Sequence, residues 1–227
     1  MSLPETIELW TVELDQPASL VAALERLLDP RESAAAGRRS EQHRSRYIVA
    51  HGAVRSILGR ALDEDPARVR IERACEHCAD REHGRPRLEG QPALQFSLSH
   101  SRDLGLVAVG EGPARVGVDV EVVEPRRSDL DRLAARVMCE GELEHWRTLP
   151  SNEHLHAFLA AWTAKEAYLK GLGLGVVRDP RSIPPQPDGW TLRPLDLGAD
   201  VDAVGTLAVE AADAEISRIA RWSPPVP

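Results

Sequence analysis

No stretch of this 227-residue sequence is apolar for long enough to cross a bilayer. The first ten residues carry Glu5 and Glu8 and lack a basic segment followed by an apolar run, so no signal peptide is expected. Cysteine is scarce, and the three present are expected to stay reduced in a cytoplasmic protein. Cys75, His77, Cys78 and His83 have a spacing that suggests zinc ligands. No second Cys-x-x-Cys follows and Cys139 is remote, so reduced loop cysteines are the favoured reading. Aromatic residues make up only 4% of the chain and the net charge is -8, which together argue against a zinc-based nucleic-acid module. No internal repeat is visible.

What the chain has is enough apolar residues, 42%, to bury one or two cores, and an uneven distribution of charge. Between Arg31 and Arg60 seven arginines face only Glu32 and Glu41. A basic patch on an acidic protein suggests a confined anionic ligand rather than a polyanion.

Two acidic segments carry the chemistry. In the first, Val116, Val118, Val120 and Val122 alternate with Gly117, Asp119 and Glu121, the period-2 pattern of a strand with an apolar and a polar face. Both carboxylates then share one face, where two oxygen donors can hold one hard cation. In the second, Leu155, Phe158, Leu159, Trp162 and Leu169 recur at helical spacing from about Asn152 to Lys170, with Ser151 or Asn152 as N-cap and Gly171 as C-terminal stop. Glu166 falls on the register that otherwise faces the core, where an ionised carboxylate is costly without a cation or hydrogen bonds. Lys170 points the same way one turn on, and Lys165 is rotated about 100° aside. Solvated strand carboxylates and an ordinary Glu166–Lys170 ion pair are the structural alternatives. A third segment, Phe96-Ser97-Leu98 running into a Ser99-His100-Ser101 turn, offers hydroxyls and an imidazole to an anionic oxygen, with Leu104 to Val109 as the returning strand. Gly84-Arg85-Pro86 adds a rigid turn with one guanidinium.

These pieces in this order, Gly-Arg-Pro at 84–86, Phe-x-Leu-Ser-His-Ser at 96–101, Gly-Val-Asp-Val-Glu at 117–121 and Trp-x-x-Lys-Glu-Ala-x-x-Lys at 162–170, resemble the 4′-phosphopantetheinyl transferases. The resemblance spans about residues 30 to 175, and the chain length places it with the larger, surfactin-synthetase-activating (Sfp-like) subfamily. It implies an α/β fold of the α+β type: a pseudo-two-fold pair of subdomains, each a small, mainly antiparallel sheet on a long helix, with the ligand cleft between them. Residues 1–112 would form the coenzyme A 3′-phosphate and adenine side, and residues 113–227 the metal and carrier-protein side. It also implies transfer of 4′-phosphopantetheine from coenzyme A to a serine of an apo carrier protein, with Mg²⁺, or Mn²⁺ in its place, on Asp119, Glu121 and Glu166. Glu166, Lys170 and Asp119 would be catalytic; Arg46, Arg85, Pro86, Ser99, His100, Lys165 and Lys170, with Arg39 in addition, would hold coenzyme A.

Carrier proteins would dock on a basic, amphipathic segment carrying Arg126, Arg127, Leu130, Leu133 and Val137, unless that segment is simply a helix packed on its own sheet. A monomer without nucleic-acid or membrane partners is expected. A divalent-metal phosphohydrolase of coenzyme A or a nucleotide, and an inactive carrier-protein-binding module, are the alternative functions.

Overall fold

The computed structural model describes residues 5–74, 84–124, 129–174, 179–212 and 214–224. Four layers stack helix on sheet on sheet on helix, a mixed α/β architecture of small, mainly antiparallel sheets. In the first sheet β4 (Leu94–Ser101), β5 (Leu104–Glu111), β1 (Glu5–Glu13) and β9 (Ala214–Arg221) lie in that order. In the second, β6 (Val116–Val122) is followed by β8 (Ala203–Val209) and β7 (Thr191–Leu195). A two-stranded ribbon of β2 (Ile71–Ala74) and β3 (Arg85–Leu88) stands apart.

Strand alternation explains the layering. On β1, Trp10 and Val12 pack with Ile48, Ala53 and Leu58 of α3 (Glu41–Leu62), while Ile7 and Leu9 face the second sheet. On β5, Val107 and Val109 join the helical side and Leu106 and Ala108 the inter-sheet core, where they meet Val116, Val118 and Val120. The opposite face of β6, with Gly117 and Asp119, is covered by α6 (His154–Leu172). Beyond α6, α4 (Leu130–Val137) and α5 (Glu140–Thr148) close a third apolar cluster around Trp146, Phe158 and Leu159.

β9 belongs by sequence to the C-terminal half, yet it pairs in parallel with β1, Ile7 opposite Ile216, and Trp222 donates from its backbone to Thr11 O at 2.8 Å. The end of the chain therefore completes the first sheet.

Several local expectations are corrected. Ser99-His100-Ser101 is strand, the last residues of β4, and the hairpin turn falls on Arg102, with φ of 55°, and Asp103. The α6 N-cap is Glu153, with no side-chain cap bond, because residues 151–153 form a separate turn. Its stop is Gly173, at φ of 75°, with Gly173 and Leu174 donating back to Lys170 and Leu169. Gly171 lies inside the helix, where a Cβ would stand 2.6 Å from the Trp190 ring. Ahead of α3, the chain forms α1 (Ala18–Glu25) and α2 (Pro30–Gly37), the latter opened by a capping box between Asp29 and Glu32. Cys75, His77, Cys78 and His83 lie outside the described residues; Cys139 is a free thiol at the start of α5.

Glu32 also anchors α2 to α3. Its carboxylate takes Arg55 Nε at 2.6 Å and lies 3.1 Å from His51 Nδ1, and Arg55, 1% exposed, reaches Asp29 and Val69 O as well. Burial would raise the Glu32 pKa, but His51 and Arg55 outweigh it and hold the group below its ordinary 4.5. A depressed carboxylate contributes stability that is present above its unfolded pKa and lost as pH falls below it. Glu32→Gln should lower the melting temperature at neutral pH and flatten its fall below about pH 4.5; a titration of melting temperature against pH for both proteins checks this.

Candidate functional site

The site forms where the outer strand of one sheet meets the outer strand of the other. β4 and β6 belong to different sheets, and serine hydroxyls bridge them. Ser97 Oγ accepts from Val118 N at 3.1 Å, Ser99 Oγ accepts from Val120 N at 3.3 Å, and Ser101 donates to Glu121 Oε2 at 2.8 Å. Three serines two apart on one strand face thus hold the acidic strand in register.

Over that strand lies α6, close because position 117 is glycine. A Cβ there would overlap the Ala167 carbonyl and stand 2.5 Å from Gly171 N. The approach brings Lys170 Nζ to 2.6 Å from Asp119 Oδ1 and 2.7 Å from Ser99 Oγ, while Ser99 donates to Asp119 Oδ1 at 2.7 Å. Asp119, 5% exposed, keeps Oδ2 buried without a hydrogen-bond partner, and Glu166 keeps Oε1 in the same condition. Desolvation raises the Asp119 pKa against the pull of Lys170 and Ser99. It also raises that of Glu166, with the negative charge of Asp119 next in weight. A buried and a half-buried carboxylate, each with one oxygen that no protein donor reaches, make a donor set suited to a hard cation.

Glu121 is held by Ser101 one step further along the strand, about 7 Å from Asp119 by strand rise. Among the described residues, no three His, Cys, Asp or Glu side chains are gathered closely enough to hold a metal unaided. The structure therefore offers two converging carboxylates, with Glu121 beside them, in place of a finished three-carboxylate cage. That suits Mg²⁺, which dehydrates reluctantly and is commonly held by one or two carboxylates together with substrate phosphates.

A cleft of about 710 Å³ opens beside this cluster, lined by Lys170, His100, Arg85, Pro86, Arg39, Arg73 and Tyr47. Its guanidinium groups have neutral partners. Arg39 donates to Ala35 O and lies 3.9 Å over the Tyr47 ring, which stacks on His51; Arg73 donates to Gly84 O; Arg85, 7% exposed, donates to Gln95 and to Gly171 O. None of the three is in a salt bridge among the described residues. His100 stands exposed on the rim, yet the protein crowding its inner side, with Lys170, His51 and Arg39, lowers its pKa.

Two expected coenzyme A ligands are placed elsewhere. Arg46 is paired bidentately with Asp15, both bonds at 2.7 Å, and does not line the cleft. Lys165, 2% exposed, spends its three protons on Val137 O, Glu142 Oε2 and Pro180 O, tying α4 and α5 to α6. Sequence reading missed Arg73, whose place depends on the β2–β3 pairing, and Glu142, whose partner lies 23 residues away. Lys165→Met should therefore cost stability, about 1–3 kcal/mol by denaturant unfolding. The Michaelis constant for the anionic ligand should stay within about twofold, a cofactor contact at Lys165 raising it instead.

On α4, Leu130, Leu133 and Val137 pack into the cluster under α5 and α6, so they belong to the helix's own core; Arg132 and Arg136 are exposed. Arg126 and Arg127 lie outside the described residues.

Fold and site together define a mixed α/β protein with an acidic cluster beside a basic cleft. The description "4′-phosphopantetheinyl transferase superfamily" matches residues 115–203. The chain is 34% identical over 222 residues to the 4′-phosphopantetheinyl transferase HetI of Nostoc sp., covering 91% of this chain and 89% of that protein. It is 35% identical over 122 residues to the 4′-phosphopantetheinyl transferase AcpT of Salmonella typhimurium, covering 53% and 57%. A putative 4′-phosphopantetheinyl transferase of Synechocystis sp. is 29% identical over 173 residues, covering 74% of this chain and 65% of that protein. The chain belongs to the 4′-phosphopantetheinyl transferase superfamily.

Proposed function

We propose that the protein transfers the 4′-phosphopantetheine group of coenzyme A to a serine of an apo acyl or peptidyl carrier protein, giving the holo carrier protein and 3′,5′-ADP. The observation that carries this reading is a cleft lined by three guanidinium groups that have neutral partners among the described residues, joined through its Lys170 to two under-satisfied carboxylates. A ligand with separated phosphates needs the first, and activating its pyrophosphate needs the second. We place the chain in the larger Sfp-like subfamily on the strength of its two sheets, each with its own long helix, in one chain.

Asp119 and Glu166, with Glu121 beside them, would hold Mg²⁺. When bound, the ion supplies Lewis-acid polarisation of the pyrophosphate and offsets charge building on the departing 3′,5′-ADP. The carrier serine attacks the β-phosphorus; one P–O bond forms, the bond to the leaving group breaks, and the serine proton passes to Glu166. Partial burial and the neighbouring charge of Asp119 raise the proton affinity of Glu166, in the direction that role requires. Lys170 donates to the leaving phosphate, His100 hydrogen-bonds the pyrophosphate from the rim, and Arg39, Arg73 and Arg85 bind the outer phosphate and fix the nucleotide. The protein acts mainly by position and charge.

Incubating the purified protein with Mg²⁺, coenzyme A and a panel of apo carrier proteins tests the reading. A carrier protein heavier by one phosphopantetheine supports it, whereas free phosphopantetheine with an unchanged carrier would show a hydrolase.

A further inference from the structure

We propose that Lys170 is the built-in counter-ion of the metal site: without a divalent cation its ammonium neutralises Asp119, and arrival of the cation displaces it into the cleft, where it meets the phosphates. The second half rests on the transferase reading; the exchange at Asp119 does not.

The argument starts from how Asp119 is shared. Oδ1 takes Lys170 at 2.6 Å and Ser99 at 2.7 Å, and Oδ2 takes nothing. One oxygen is held by the protein and the other is left for a cation. Lys170 is the one cation that contacts this carboxylate among the described residues, and its charge is also felt by Glu166. A single ammonium offsets only part of the negative charge of Asp119, Glu166 and Glu121, and it leaves Asp119 Oδ2 and Glu166 Oε1 without a partner.

A dication held by Asp119 and Glu166 would share the Asp119 carboxylate with the ammonium, and like charges that close repel strongly in a partly buried site. The lysine can yield. Its side chain is 31% exposed, on a flexible four-carbon stem that already lines the cleft beside His100 and Arg85. The carboxylate cannot follow it. Ser99 keeps its own bond to Oδ1 and is itself held by Val120 N, so Asp119 stays aimed when Lys170 leaves. Lys165, the other lysine of the sequence, is fully committed elsewhere. The exchange thus couples metal loading to delivery of a proton donor, and the lysine reaches the phosphates only when the metal site is charged.

The test uses the full chain without coenzyme A and Mn²⁺ as probe, its free concentration read by electron paramagnetic resonance. Lys170→Met should bind Mn²⁺ at least about tenfold more tightly than wild type, because a competing positive charge is gone. Lys170→Gln, which keeps a hydrogen-bond donor toward Asp119 and Ser99 without the charge, should do the same and covers the case in which the methionine variant folds poorly. Asp119→Asn should lose the binding. In melting experiments Mg²⁺ should raise the midpoint of either lysine variant more than that of wild type. Equal or weaker Mn²⁺ affinity in both lysine variants overturns the exchange, as does absence of Mn²⁺ binding in every protein. Labelling of a carrier protein by wild type in a parallel sample then shows whether the transferase reading survives that failure.

Discussion

Asp119→Asn lowers the rate of carrier-protein labelling by at least about 10²–10³-fold, the range lost when one aimed charge-stabilising group is removed from an active site. The substitution keeps size and shape, so Ser99 and the backbone of β6 stay in place. It removes the negative charge that would hold the cation, and with it the carboxylate that pairs with Lys170 before the cation arrives. The melting temperature should hold within a few degrees. Burial disfavours the ionised form of Asp119 more strongly than Lys170 and Ser99 favour it, so the charge at neutral pH costs the fold more than it contributes. The lysine left behind, being about a third exposed, can hydrate. Labelling rates by mass spectrometry beside a thermal melt check both halves; near-normal labelling by a folded variant would remove Asp119 from the mechanism. Lys170→Ala should show a loss of similar size in turnover.

Much of this site can be read from local pattern alone. The valine alternation from Val116 to Val122 gives β6 and both of its carboxylates, and the helical register of Leu155 to Leu169 gives α6 and points Glu166 and Lys170 to one side. Both signals are periodic, and packing reinforces them. What pattern does not give is partner identity. Helical period turns Lys165 aside, but nothing local says that Glu142 waits there, or that Arg46 of α3 meets Asp15 while Arg39, just ahead of that helix, reaches the cleft. Ser99 and Ser101 read as part of a turn because their hydroxyls suit turns, yet each bonds a specific carboxylate of β6. The short helix α2 carries a legible signal, Asp29-Pro30 followed by Glu32, hidden by the small residues after it. The pairing of β9 with β1 spans more than 200 residues and leaves no local trace.

Among the glycines of the described residues, Gly117→Ala is expected to be the most damaging change to alanine, costing on the order of 3 kcal/mol or more in stability and at least about 10²-fold in activity of the folded fraction. The new Cβ would meet backbone, the Ala167 carbonyl and Gly171 N, so no rotamer change relieves it. Either β6 or α6 must move. β6 is fixed on three sides, by its ladder to β8, by the inter-sheet valine core and by the serines of β4. α6 is pinned by the buried Thr163–Thr206 hydroxyl pair and by Lys165. At its far end Gly171 sits against Trp190 with no room for a Cβ, so the helix cannot slide that way without a second clash. The methyl group therefore works as a wedge between the strand that carries Asp119 and the helix that carries Glu166 and Lys170. Displacements near 1 Å are enough to cost about two orders of magnitude when reacting groups must be aligned. Denaturant unfolding measures the first loss, and the labelling rate, corrected for the folded fraction, measures the second. A stable, active Gly117→Ala protein would show that the strand and helix do not need this close approach.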